Sequence, residues 1–125
     1  MHVELVSPER IIYSGEADQV IARTMDGEIA FLTGHAPFIG ALDIAQVVVT
    51  DTDGNRVQAA VHGGFVEVSH NRVIILSDVA ELAGDIDRPR AEAAARRAEE
   101  ATRAGEDEEA EAALRRAQVR LALVS

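Results

Sequence analysis

The sequence predicts an N-terminal all-β sandwich, a flattened antiparallel barrel of about ten short strands, followed by a C-terminal antiparallel α-helical hairpin. Three observations carry this expectation. Short β-branched runs punctuated by turn residues fill the chain as far as Gly84. From Asp87 onward the apolar period lengthens to three and four residues. The charge pattern changes at the same place: residues 1–84 hold 12 acids against 4 Arg, net -8, whereas residues 85–125 hold 10 acids against 8 Arg, net -2. The expected division is a β-sandwich domain over 1–84 and a helix-turn-helix hairpin over 85–125.

Val3-Glu4-Leu5-Val6 reads as a first strand that stops at Ser7-Pro8. Ile11-Ile12-Tyr13 is a second, halted by Ser14-Gly15, and Asp18–Arg23 a third, ending at the Asp26-Gly27 turn signal. Glu28–Phe31 follows, then the loop Thr33-Gly34-His35-Ala36-Pro37 and the apolar Phe38–Leu42. Val47–Thr50 and Arg56–His62 flank Asp53-Gly54, a strong hairpin signal. In Gly64–Ser69, Phe65 and the valines are expected inward; a turn at His70-Asn71 leads into Arg72–Ser77.

Beyond Gly84 the pattern is helical. Ala91, Ala94, Ala98 and Ala101 form one stripe, and Gly105 stands where a C-capping glycine would end the helix. A second helix has Glu106, Asp107, Glu108 and Glu109 at its start and Arg115, Arg116 and Arg120 towards its end, a distribution that complements the helix dipole. Its stripe is Ala110, Leu114, Ala117, Leu121 and Val124. A seam made mostly of alanine buries little apolar area, so at roughly 25 cal/mol per Å² it barely offsets the entropy of ordering. The hairpin is therefore expected to be mobile.

Composition excludes several classes of function. A net charge of -10 opposes nucleic-acid binding, which needs clustered cations. No Cys is present, so disulfides and thiolate chemistry are excluded. The start of the chain lacks the basic and apolar blocks of a signal peptide, and no apolar run approaches the length of a membrane span. A soluble, cytoplasmic protein without direct membrane insertion is expected. His2, His35, His62 and His70 show no metal-ligand spacing, and His62 and His70 read as ordinary surface residues. No serine lies in a G-x-S-x-G elbow, and a Walker-type phosphate loop is impossible in a chain without Lys. No catalytic residue and no obligatory cofactor or metal is expected; Asp53 belongs to a turn and Asp87 to a helix cap.

The order of parts nonetheless resembles a known family. Gly27-Glu28 is followed at fixed spacing by His35-Ala36-Pro37, and Gly63-Gly64-Phe65-Val66-Glu67-Val68 comes later, before an Ala/Arg/Glu-rich helical pair. Over essentially its whole length the chain resembles the epsilon subunit of bacterial F-type ATP synthases, the counterpart of the mitochondrial delta subunit. Thr33 departs from the proline usual in the family. The resemblance implies a non-catalytic rotor subunit at the foot of the central stalk, touching the gamma subunit and the c-ring, with Glu28 and His35 facing the ring. It implies a location at the cytoplasmic face of the plasma membrane, peripheral through the complex. It also implies hairpin helices that impede hydrolysis when extended against the alpha and beta catalytic subunits. Ile86-Asp87-Arg88-Pro89-Arg90-Ala91 matches the I-D-x-x-R-A pattern with which some members bind ATP as a regulatory ligand. By that match the nucleotide site is Asp87, Arg90 and Ala91, assisted by Arg97, Arg116 and Arg120. The competing class is a free-standing β-sandwich binding module with a helical oligomerisation tail.

Overall fold

A computed structural model of the chain describes residues 1–105 and 107–124. Nine strands and two helices are found among them: β1 (His2–Ser7), β2 (Arg10–Thr24), β3 (Gly27–Leu32), β4 (Phe38–Ala41), β5 (Ile44–Asp51), β6 (Arg56–His62), β7 (Phe65–Ser69), β8 (Arg72–Leu76), β9 (Ala80–Leu82), α1 (Arg88–Ala104) and α2 (Glu108–Val124). A 3₁₀ turn over Ala83–Asp85 joins the strand-rich part to α1.

The strands form two layers. One has the order β4-β7-β8-β1-β2, and the other comprises β3, β2, β5, β6 and β9. The link is β2, whose first half pairs with β1 and whose second half lies between β3 and β5. The sequence splits this strand at Ser14-Gly15, yet the two segments are one strand of 15 residues. Gly15 continues the ladder opposite Val3, and its missing side chain leaves room for the Tyr13 ring, whose hydroxyl would lie 2.8 Å from an added Cβ. The bend comes later, at a register shift between Ala17 and Gln19, where an irregular ladder redirects a strand from one layer to the next. A strand is thus lost from the expected set and another gained at Ala80–Leu82. One pair, β1 with β8, is parallel within an otherwise antiparallel arrangement.

Turn chemistry follows the residues. Asp51 Oδ1 accepts the backbone N–H groups of Asp53 and Asn55 at 2.9 and 2.8 Å, closing the β5–β6 hairpin around Gly54. His70 and Asn71 both take left-handed backbone (φ 50° and 59°), the requirement of a tight two-residue hairpin between β7 and β8.

The core lies between the layers: Val3, Val20, Phe31, Val61, Val66, Val73 and Ile75 are enclosed completely or nearly so. In β7 the inward residues are Val66 and Val68. The period of two therefore turns Phe65 outward, against the sequence expectation, and it is 57% exposed.

The hairpin packs across the second layer, with α2 against β5 and β6. The buried positions of α1 are Ala91, Ala95 and Ala98. Ala95 thus replaces Ala94 and Ala101 in the expected stripe, Ala101 being exposed. In α2 Ala110 and Ala117 are buried, while Leu114, Leu121 and Val124 are half-buried. Gly105 does follow α1, but with extended backbone (φ 169°, ψ 170°) and not as a left-handed cap. Glu106 lies outside the described residues, and the cap of α2 is Asp107, whose Oδ1 accepts the Glu109 N–H at 2.9 Å.

Candidate functional site

A cleft of about 370 Å³ opens where sandwich and hairpin meet. Val79 and Glu81 reach it from β9 and the residues before it, and Asp85 from the 3₁₀ turn; Asp87, Arg90, Ala91, Ala94 and Arg97 come from α1 and its cap, and Arg120 from α2. Five of the six sequence-predicted nucleotide residues therefore converge: Asp87, Arg90, Ala91, Arg97 and Arg120. Arg116 does not line the cleft. It sits one turn earlier on α2, where its guanidinium donates to Glu109 Oε1 at 2.6 Å.

Helix periodicity explains the convergence. Arg90, Ala94 and Arg97 recur at spacings of four and three, and so share one side of α1. Asp87 caps this helix: its Oδ1 accepts the Arg90 N–H at 3.2 Å. Pro89, the second helical residue, leaves no intrahelical bond unmade. Among the described residues neither Arg90 nor Arg97 has an ion-pair partner, so both guanidinium groups are available to an anion.

Two residues that sequence reasoning did not place in the site complete it. Glu81 Oε1 accepts the Arg120 Nε–H at 2.5 Å, tying α2 to β9. The same oxygen lies 3.4 Å from His62 Nε2, and the His62 side chain is only 2% exposed, against the expectation of a surface histidine. Burial, the nearby Arg120 and, more weakly, Arg116 pull the His62 pKa below its ordinary 6.5, against the opposing pull of Glu81. The signal for Glu81 was its place in β9, a strand too short to stand out in the sequence. For His62 it was the packing of α2 over the end of β6, which no local pattern encodes. A second tie joins Arg115 to Asp43 at 3.5 Å.

Glu28 and His35, the pair expected to face the ring, are arranged differently. Glu28 is exposed near the start of β3, opposite Arg23. His35 lies past the other end of that strand, so the two are separated by roughly 13 Å or more of extended chain. The His35 loop is firmly held: its ring stands edge-on to Phe31 at 5.0 Å, its backbone N–H donates to Leu32 O at 3.0 Å, and the Gly34 N–H donates to Asn71 Oδ1 at 3.1 Å.

On the outer face of the first layer Phe65, Leu76, Val6 and Ile11 stand opposite one another on four successive strands. Phe65, Leu76 and Ile11 are 57%, 48% and 60% exposed, which makes a continuous apolar row. Among the described residues no group of three or more His, Cys, Asp or Glu is placed to hold a metal ion, and no helix is long and apolar enough to cross a membrane.

Residues 1–83 match the family described as ATP synthase, delta/epsilon chain, beta-sandwich domain. The chain belongs to the ATP synthase delta/epsilon family. Relatives extend the likeness into the hairpin. An ATP synthase epsilon chain of Streptomyces avermitilis is 46% identical over 125 residues, covering 100% of this chain and 95% of its own. The epsilon chain of Brevibacillus brevis is 48% identical over 99 residues, covering 79% and 75%. Among solved structures, a chain of the Euglena gracilis mitochondrial ATP synthase (OSCP/F1/c-ring, rotational state 1) superposes with a TM-score of 0.70 at 24% identity, over 95% of this chain and 73% of that one. At that identity the structural likeness establishes the delta/epsilon fold, and the curated sequences carry the family assignment.

Proposed function

We propose that this chain is a non-catalytic central-stalk subunit of a proton-translocating F-type ATP synthase, joining the gamma subunit to the c-ring. Its hairpin regulates ATP hydrolysis and responds to ATP. The observation that carries the regulatory part is the cleft: its walls come from the sandwich, α1 and α2 together. A ligand shifts an equilibrium only by binding one state better, and a ligand touching all three walls binds only the docked hairpin. Arg90 and Arg97 suit the phosphates as bidentate donors. Arg120 joins them when a phosphate oxygen replaces Glu81. ATP then holds the hairpin down, and its loss frees α1 and α2 to extend towards the alpha and beta subunits.

The stalk role draws on two surfaces. The apolar row of Phe65, Leu76, Val6 and Ile11 suits burial against gamma. The exposed Glu28 and the braced His35 loop suit contact with polar loops of the c-ring, from opposite ends of β3. In this reading the subunit sits at the cytoplasmic face of the plasma membrane, held there by its partners. A free-standing binding module has less support, because Phe65 is the one exposed aromatic among the described residues: Phe31 is enclosed, and Tyr13 and Phe38 pack partly buried against the core.

The test is a titration of the full-length chain with ATP to millimolar concentration, following melting temperature and amide exchange over residues 85–125. ATP should raise the melting temperature and slow exchange in both helices, and Arg90→Ala or Arg97→Ala should abolish both effects. Arg116→Ala should leave them in place. Exchange unaltered by millimolar ATP would remove the nucleotide response.

A further inference from the structure

We propose that His62 is a proton-operated latch on the hairpin: uncharged, it lets α2 rest on the sandwich, and protonated, it drives α2 off. This rests on the mobile hairpin proposed above and adds the signal that moves it.

The geometry is that of a group with room for only one proton. His62 closes β6, the strand against which α2 packs, and only 2% of its side chain is exposed. Its Nε2 faces Glu81 Oε1 at 3.4 Å, and that oxygen is already engaged by Arg120 Nε at 2.5 Å. Nδ1 is buried with no hydrogen-bond partner. A second proton on the ring would sit on that nitrogen, with no acceptor and with a guanidinium close by. Other charged groups frame the site. Arg116 and Arg120 face it from α2, and Glu81 from β9. Asp78 shares the surface groove behind it, and Asp85 stands in the turn packed on β6. Asp43, which precedes the ladder partner Ile44, is paired with Arg115. The nearest carboxylate is thus shared with a permanent cation, and the nearest cations all belong to the hairpin.

When α2 leaves, Arg116 and Arg120 leave with it, water reaches both ring nitrogens, and Glu81 stays behind as a partner for His62 alone. The released state therefore holds the second proton more tightly than the docked state. The docked pKa lies below the ordinary 6.5, so docking is at its strongest above about pH 6.5 and weakens as pH falls from there towards the docked value. One proton changes the docked-to-released ratio by up to about tenfold per pH unit within that window. His2, His35 and His70 sit on β1, the β3–β4 loop and the β7–β8 turn, and a variant at His62 alone separates their contributions.

The chain has no Cys, so Asn55→Cys and Gln118→Cys, in the exposed β5–β6 turn and on the exposed side of α2, can carry a pair of spin labels. Distance distributions of the full-length chain are recorded from about pH 8 to about pH 5.5, with and without His62→Gln. The released fraction should grow on acidification below about pH 6.5, by up to about tenfold in ratio per unit, and stay constant with His62→Gln. In the unlabelled native chain the His62 ring should titrate by NMR in step with release. If the His62→Gln chain keeps the same pH response, or the ring takes up its proton while α2 stays docked, the latch is wrong and the mobile hairpin stands. If no released population exists at any pH, the mobile hairpin falls and the latch with it.

Discussion

Replacing Phe65 by serine tests the apolar row as the face that meets gamma. Phe65 opens β7 with 57% of its surface exposed, beside Leu76 and next to Val6. A phenylalanine side chain carries roughly 150–250 Å² of buriable area, so about 85–140 Å² remains to be covered by a partner. At about 25 cal/mol per Å² that is roughly 2–3.5 kcal/mol of association energy, a loss of about 30- to 300-fold in affinity on truncation. The subunit's own fold should hardly respond, because an outward residue on a sheet contributes to stability mainly through its neighbours, within about 1 kcal/mol. The assay is equilibrium binding of the full-length chain to purified gamma, alongside thermal melting, with Arg56→Ser on an exposed part of β6 as the control. An affinity within about twofold of the unaltered chain, with melting also unchanged, would refute the assignment of this face.

Gly64→Ala should be far more damaging to the fold than its size suggests. Gly64 has φ +110°, and an added Cβ would lie 2.0 Å from the Leu76 carbonyl oxygen, so backbone must move; a loss of about 2–4 kcal/mol by denaturant melting is expected. Glu28→Lys should weaken the coupling of hydrolysis to proton pumping in the assembled enzyme while leaving the isolated subunit's melting unchanged, since Glu28 is exposed and makes no ion pair among the described residues. Truncation after Gly84 should leave a cooperatively melting all-β protein, because the large enclosed side chains all precede that point; a random-coil circular dichroism spectrum would refute the division.

The strands were legible where turn chemistry and periodicity agreed. Asp51 to Asn55 encodes its own hairpin through one carboxylate, and the His70-Asn71 turn through two residues that tolerate left-handed backbone. The long β2 was not, because Ser14-Gly15 reads as a stop by composition alone. Only the Tyr13 ring packed over Gly15, a contact two residues away on the same strand, and the ladder to Val3 keep the chain extended there. The parallel β1–β8 pair was equally hidden, since it joins residues some seventy positions apart and no local pattern records it. Phe65 was misassigned for a simpler reason. A strand has one inward phase, Val66 and Val68 occupy it, and apolar character alone cannot place their neighbour.

The site was legible on α1 and opaque on α2. A motif at the start of a helix fixes side-chain directions through the helical repeat, so Asp87, Arg90 and Arg97 fall together once Asp87 is the cap. On α2 the orientation depends on what the helix packs against. Arg116 and Arg120 are four apart and look equivalent in sequence, yet Arg120 meets Glu81 of the sandwich and Arg116 meets Glu109 of its own helix. The difference has a functional consequence. Among the described residues two ion pairs tie the hairpin to the sandwich, Arg120 with Glu81 and Arg115 with Asp43, beside the packing of α2 on β5 and β6. Arg120 is about one quarter exposed and Glu81 about one third, so their pair is only partly screened by solvent; the Arg115 pair is more exposed and weaker. The Arg120–Glu81 pair is the contact that the proposed phosphate at Arg120 and the proposed proton at His62 would each disturb. An apolar contact in place of that pair would respond to neither.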